Sequence, residues 1–109
     1  MVSEPVRQRF LRDPLPIRLG GLAADLARVA SFSENPANRQ AVASLLEEGK
    51  YFAEWIAPDA SLETQAFLAE LQVTLAVWER QCVGGTPDQT IRAEAQRKSD
   101  ELLALAGLA

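Results

Sequence analysis

Leu15, Leu19, Leu22, Leu26 and Val29 follow one another at alternating steps of four and three residues, which places them along one face of a helix. The spacing predicts a first main helix from Pro16 to Phe32, with Pro16 in the first turn, where a missing N–H costs nothing. Gly20 and Gly21 weaken those first turns by about 1 kcal/mol each relative to alanine. Gly20, Ala24 and Ala27 form a small-residue seam opposite the leucines, which either admits another backbone or faces water. A second helix is announced by Asn35-Pro36, a side-chain cap followed by a proline suited to the next position. It runs to Ala57 with Val42, Leu45, Leu46, Gly49, Phe52, Ala53 and Ile56 inward, and Pro58 ends it. Gly49 on that face predicts a close helix crossing.

Asp59 or Ser61 can cap a third helix from Leu62 to Val83. Its pattern is double: Leu68, Leu71, Leu75, Trp78 and Cys82 form one stripe, and Leu62, Ala66, Ala69, Val73 and Val77 form another on nearly the opposite side. A helix apolar on two sides needs cover on two sides, supplied by the N-terminal arm or by another copy of the chain. Gly84-Gly85 closes this helix, and Thr86-Pro87-Asp88-Gln89 reads as a cap, a first-turn proline and a capping-box glutamine. The fourth helix follows to Ala106 with Ile91, Ala95, Leu102 and Leu105 inward, Lys98 on the same face, and Gly107 as its stop.

Before these helices, Pro5, Pro14 and Pro16 argue against one long helix at the start of the chain. Residues 1–14 are therefore an arm, with a helical turn around Val6 to Leu11 and enough apolar residues, Val6, Phe10 and Leu11, to pack in part on the rest. Residues 15–109 form the domain. Four helices joined by short connections favour antiparallel neighbours, so the expected fold is all-α, an up-down-up-down four-helix bundle with an N-terminal arm.

A chain of 109 residues is one domain whose core needs no disulfide or metal. A single cysteine excludes an internal disulfide, and together with the lack of a secretory apolar segment near Met1 it predicts a cytoplasmic protein. Every apolar run is interrupted by charged or amide side chains, so a membrane span is not expected. A net charge of −4 leaves no basic face for nucleic acid. Arg7, Arg9, Arg12 and Arg18 make the N-terminal segment locally basic, which suits docking on the acidic remainder of its own chain or of a neighbour.

Candidate chemistry narrows the picture further. With no histidine the chain lacks the commonest general base and the commonest neutral metal ligand, and it cannot build the Glu-x-x-His pairs of a di-iron bundle. Glu47, Glu48, Glu63, Glu70 and Glu101 fall mostly off the apolar stripes and read as solvated charge. Cys82, on an inward stripe near a helix C-terminus, reads as a small buried apolar residue rather than a nucleophile. No serine sits in a nucleophile elbow and no glycine pair has a phosphate-loop lysine. No catalytic residue, metal ligand or cofactor site is expected, and the chain is not expected to be an enzyme. The positive lead is aromatic: Tyr51 and Trp55 point away from the Val42 to Ile56 stripe, with Phe52 at its border. They either anchor a partner or are covered by the arm or a neighbouring helix.

The run Leu15-Pro16-Ile17-Arg18-Leu19-Gly20, the stretch Ala23 to Ala30, Asn35-Pro36-Ala37-Asn38 and Glu54-Trp55-Ile56-Ala57-Pro58-Asp59 together resemble small uncharacterised helical proteins encoded in cyanobacteria. The resemblance spans most of the chain after the arm and carries no catalytic motif. It implies a cytosolic bacterial protein, an accessory or regulatory factor of a photosynthetic cell.

The expected function is a non-enzymatic interaction or regulatory module, homodimeric, using the Leu62, Ala66, Ala69, Val73 and Val77 stripe or the Tyr51, Phe52 and Trp55 patch. The alternative is a carrier of an apolar small molecule or pigment in a cavity near Gly49, Phe67 and Trp78.

Overall fold

The computed structural model describes residues 3–84 and 89–108. The described residues form five α-helices joined by short connections, with no strand: α1 (Glu4–Leu11), α2 (Leu15–Phe32), α3 (Arg39–Ile56), α4 (Leu62–Gly84) and α5 (Gln89–Leu105). Short 3-10 turns at Pro36–Asn38 and Ala57–Asp59 flank α3. The stop expected at Gly84-Gly85 and the cap expected at Thr86 to Gln89 centre on residues 85–88, outside the described residues.

Local chemistry explains most boundaries. Asn35 Oδ1 accepts from the Ala37 N–H at 3.0 Å, and the first turn after it is a 3-10 turn, so α3 starts at Arg39 rather than straight after the cap. Ser61 caps α4, its Oγ accepting from the Thr64 N–H at 3.2 Å. Asp59, the other candidate, is engaged by Arg18 instead. At the far end Gly107 takes a φ of +75° and Leu108 N–H reaches back to the Leu103 carbonyl at 2.9 Å, a glycine-closed helix end.

The N-terminal segment departs from the expected arm. It holds an eight-residue helix, α1, rather than a single turn. Pro5 lies in its first turn, where it breaks no hydrogen bond, and Pro14 falls beyond its end, so the prolines bracket the helix instead of preventing it. No α1 residue is fully buried, but Phe10 is half-buried and packs against the core.

Most of the expected core is buried, but Leu105 of α5, expected inward, stays outside it and lines a surface cleft, while Ala23 and Ala30 of α2 join it. Leu19, Leu22, Leu26 and Val29 of α2, Val42, Leu46, Ala53 and Ile56 of α3, Leu68, Leu71, Leu75, Trp78 and Cys82 of α4, and Ile91, Ala95 and Leu102 of α5 are buried together. Side-chain bonds tie the neighbours: Arg18 on α2 reaches Asp59 beyond the end of α3 at 3.0 Å. Gln72 on α4 donates to the Lys50 carbonyl of α3 at 3.2 Å. Buried Ser99 on α5 donates to the Ala23 carbonyl of α2 at 2.8 Å, while Arg92 pairs with Glu34. The most extensive helix contacts are between α2 and α5, α2 and α3, and α3 and α4. Gly49 marks a crossing point: a Cβ there would lie 3.2 Å from Leu75 Cδ1 and 3.6 Å from Leu22 Cδ1.

Candidate interaction surface

Helix α4 turns its leucine stripe into the core and leaves the other stripe outside. Leu62 is 83% exposed, Val73 66% and Val77 48%, and Ala66 and Ala69 between them are also exposed. Leu62 to Val77 spans about 22 Å at helical rise. Apolar side chains in a row of that length are unlike the singly scattered hydrophobics normal on a surface. Neither α1 nor any other described element covers them.

Towards α5 the stripe borders two clefts. One, of about 550 Å³, is lined by Glu63, Ala66, Phe67, Glu70, Glu101 and Leu105. The Lys98 ammonium sits 5.5 Å from the Phe67 ring centroid, so its charge meets an aromatic face. The other, of about 370 Å³, lies among Val73, Thr74, Val77, Trp78, Ile91 and Glu94. Charges bracket the stripe. Arg80, exposed one turn beyond the valines, has no hydrogen bond or ion pair among the described residues. Asp59 and Glu63 lie at the opposite end, both exposed.

Phe10 of the N-terminal segment covers part of the aromatic patch on α3. Phe10 of α1 stacks on Phe52 with ring centroids 4.1 Å apart and planes 11° apart, and it lies 5.8 Å from the Trp55 ring. Tyr51 is 5.7 Å from Trp55, and all three α3 aromatics are half-buried. Tyr51 also borders a cleft of about 450 Å³ with Lys50, Glu54, Gln72 and Glu79, where Lys50 pairs with Glu79 at 3.1 Å. The helical wheel of α3 sets Tyr51 and Trp55 off the stripe that is buried. It could not show that Phe10, from a segment distant in sequence, arrives there.

One charged group inside the fold escaped the sequence reading. Asp25 is 2% exposed between α2 and α3, and burial, with the Glu48 carboxyl against it, pushes its pKa up to about 8, while Arg28, 3.0 Å away, pulls in the opposite direction. Its Oδ2 is buried without a hydrogen-bond partner; a proton on the Asp25–Glu48 pair lowers the cost of that burial. The signal was available: Asp25 sits between Leu22, Leu26 and Val29 on the apolar stripe. Cys82 is buried and free, and its thiol is pushed up chiefly by burial, which disfavours a thiolate.

No group of three or more acidic or cysteine side chains suited to a metal ion occurs among the described residues, and no helix there is long and apolar enough to cross a membrane. Comparison with family models, curated proteins and solved structures finds no match for this chain.

Proposed function

We propose that this chain is a non-enzymatic protein–protein interaction or regulatory module, built as an up-down-up-down four-helix bundle with α1 as a side-docking arm, that self-associates and works in the cytoplasm. The observation that carries the reading is the uncovered row Leu62, Ala66, Ala69, Val73 and Val77 on α4. Exposing such a row costs solubility, and a contiguous apolar strip rimmed by charge is the usual mark of a binding surface. The α3 aromatics carry less of the proposal, because Phe10 already spends part of their apolar area within the chain. What supports the bundle senses is where the cross-links fall: Arg18 to Asp59, Gln72 to Lys50, and Ser99 to Ala23 together with Arg92 to Glu34 join positions expected of antiparallel neighbours. The carrier reading loses one motivation, since the room left by Gly49 is filled by Leu75 and Leu22.

A photo-crosslinking side chain placed at Val73 tests the proposal in the native cell. Discrete protein adducts at position 73, absent when the same group replaces exposed Arg97 on α5, are the expected result. An adduct pattern identical at the two positions removes the reading.

A further inference from the structure

The exposed face of α4 is asymmetric along its length, and that asymmetry specifies an occupant. Asp59 stands in the 3-10 turn just before its N-terminal end, and the acid Glu63 and bulky Leu62 begin the helix; small Ala66 and Ala69 occupy the middle; Val73 and Val77 follow, and the base Arg80 closes the row. Asp59 accepts from Arg18 through Oδ2 at 3.0 Å, which leaves its Oδ1 free, and its side chain is 56% exposed. Arg80 has no partner among the described residues. A helix that carries acid at one end of an apolar seam and base at the other is complementary to itself reversed.

Resting on the interaction-module reading above, we propose that the partner of this face is a second copy of the chain, with the two α4 helices packed antiparallel about a two-fold axis near Ala69. This isologous arrangement sets Leu62 of each copy beside Val77 of the other. The alanines meet near the axis, where their lack of bulk lets the two backbones come close. It also brings each Arg80 to the Asp59 and Glu63 end of the other copy. A parallel in-register pair would instead place Arg80 against Arg80 and Glu63 against Glu63. Charge therefore selects the antiparallel sense, while the apolar row provides the attraction. The clefts beside the stripe leave room for the side chains of the second helix to enter on the α5 side. Glu70 is the discordant element: it lies close to the proposed axis and meets its own copy, which weakens the pair. A single stripe about 22 Å long lies at the small end of specific interfaces, so the dimer is a reversible one of micromolar order.

Geometry gives a clean test. In the antiparallel pair the two residues at position 62 lie about 22 Å apart, as do the two at position 77, whereas 62 of one copy adjoins 77 of the other. Full-length Leu62→Cys and Val77→Cys proteins, each with Cys82→Ala, are mixed with a short thiol cross-linker. The expected result is a mixed 62–77 dimer at least tenfold in excess over either self-linked product. Self-linked products in excess would establish a parallel pair and overturn the proposal. In parallel, sedimentation of the unmodified chain should show a concentration-dependent dimer, weakened at least tenfold by Val73→Arg and by Arg80→Glu and tightened by Glu70→Gln. Circular dichroism checks that these exposed substitutions leave the helices intact. A chain monomeric into the millimolar range overturns self-pairing. If the position-73 probe in cells still captures a different protein, the interaction-module part of the reading above stands, while self-association and the second-copy proposal fall together.

Discussion

The ring of Phe10 lies flat on the ring of Phe52, 4.1 Å between centroids, and this contact fixes α1 on the flank of α3. Stacked aromatic pairs contribute about 0.5–1.5 kcal/mol beyond the area they bury. Phe10→Ala is expected to lower unfolding stability by about 1–2 kcal/mol and to open Trp55 to solvent while Trp78, 4% exposed, stays shielded. Urea unfolding combined with iodide quenching of tryptophan emission checks both parts. Unchanged quenching would show that α1 does not cover Trp55 in solution.

Asp25 gives the fold a pH dependence of unusual sign. Its carboxyl holds a proton up to about pH 8 in the folded chain but releases it near 3.8 when unfolded. Between those values the folded state carries the extra proton. The contribution to stability is therefore complete below about pH 3.8, declines as pH rises and is exhausted above about 8. No histidine titrates in that window to mask it. Asp25→Asn should flatten the decline between pH 5 and 8, read from urea midpoints across the range. An equal slope in both proteins would rule out Asp25 as its source.

Gly49 separates two opposed effects of adding a methyl group. Alanine gains about 1 kcal/mol of helix propensity, but its Cβ would sit 3.2 Å from the buried Leu75 side chain. Gly49→Ala should thus change stability by less than about 1 kcal/mol, whereas Gly49→Val should cost about 2 kcal/mol or more through overpacking. Thermal unfolding distinguishes the two. A valine as stable as the wild type would mean that the α3–α4 crossing is looser than the contact implies.

Ser99 is a buried polar group where α5 meets α2. Its hydroxyl bonds the Ala23 carbonyl at 2.8 Å. Ser99→Ala should cost about 1 kcal/mol for the lost bond, and Ser99→Leu considerably more, because a larger side chain must be forced into a fully buried position against the Ala23 backbone. Denaturant midpoints measure both.

Leu62, Val73 and Val77 should be nearly neutral for folding despite their hydrophobicity. Leu62→Glu is expected to shift unfolding free energy by less than about 0.5 kcal/mol, since Leu62 is 83% exposed. A loss of several kcal/mol would place the stripe in the core in solution.

The hydrophobic period by itself determined most of this architecture. Steps of three and four residues fix which side of a helix is apolar regardless of what it meets, so the core lists of α2, α3 and α4 were readable in advance, and so was the double stripe of α4. Caps were readable for the same reason: Asn35, Ser61 and Gly107 act on backbone groups a few residues away. What only the tertiary structure decided are contacts between segments far apart in sequence. The arrival of Phe10 on Phe52, the engagement of Asp59 by Arg18 rather than by its own helix, and the enclosure of Asp25 between α2 and α3 belong to this group. A helical wheel gives a side chain its direction; whether that direction ends in water, in a ring or against a second carboxyl depends on where the neighbouring helices come to rest.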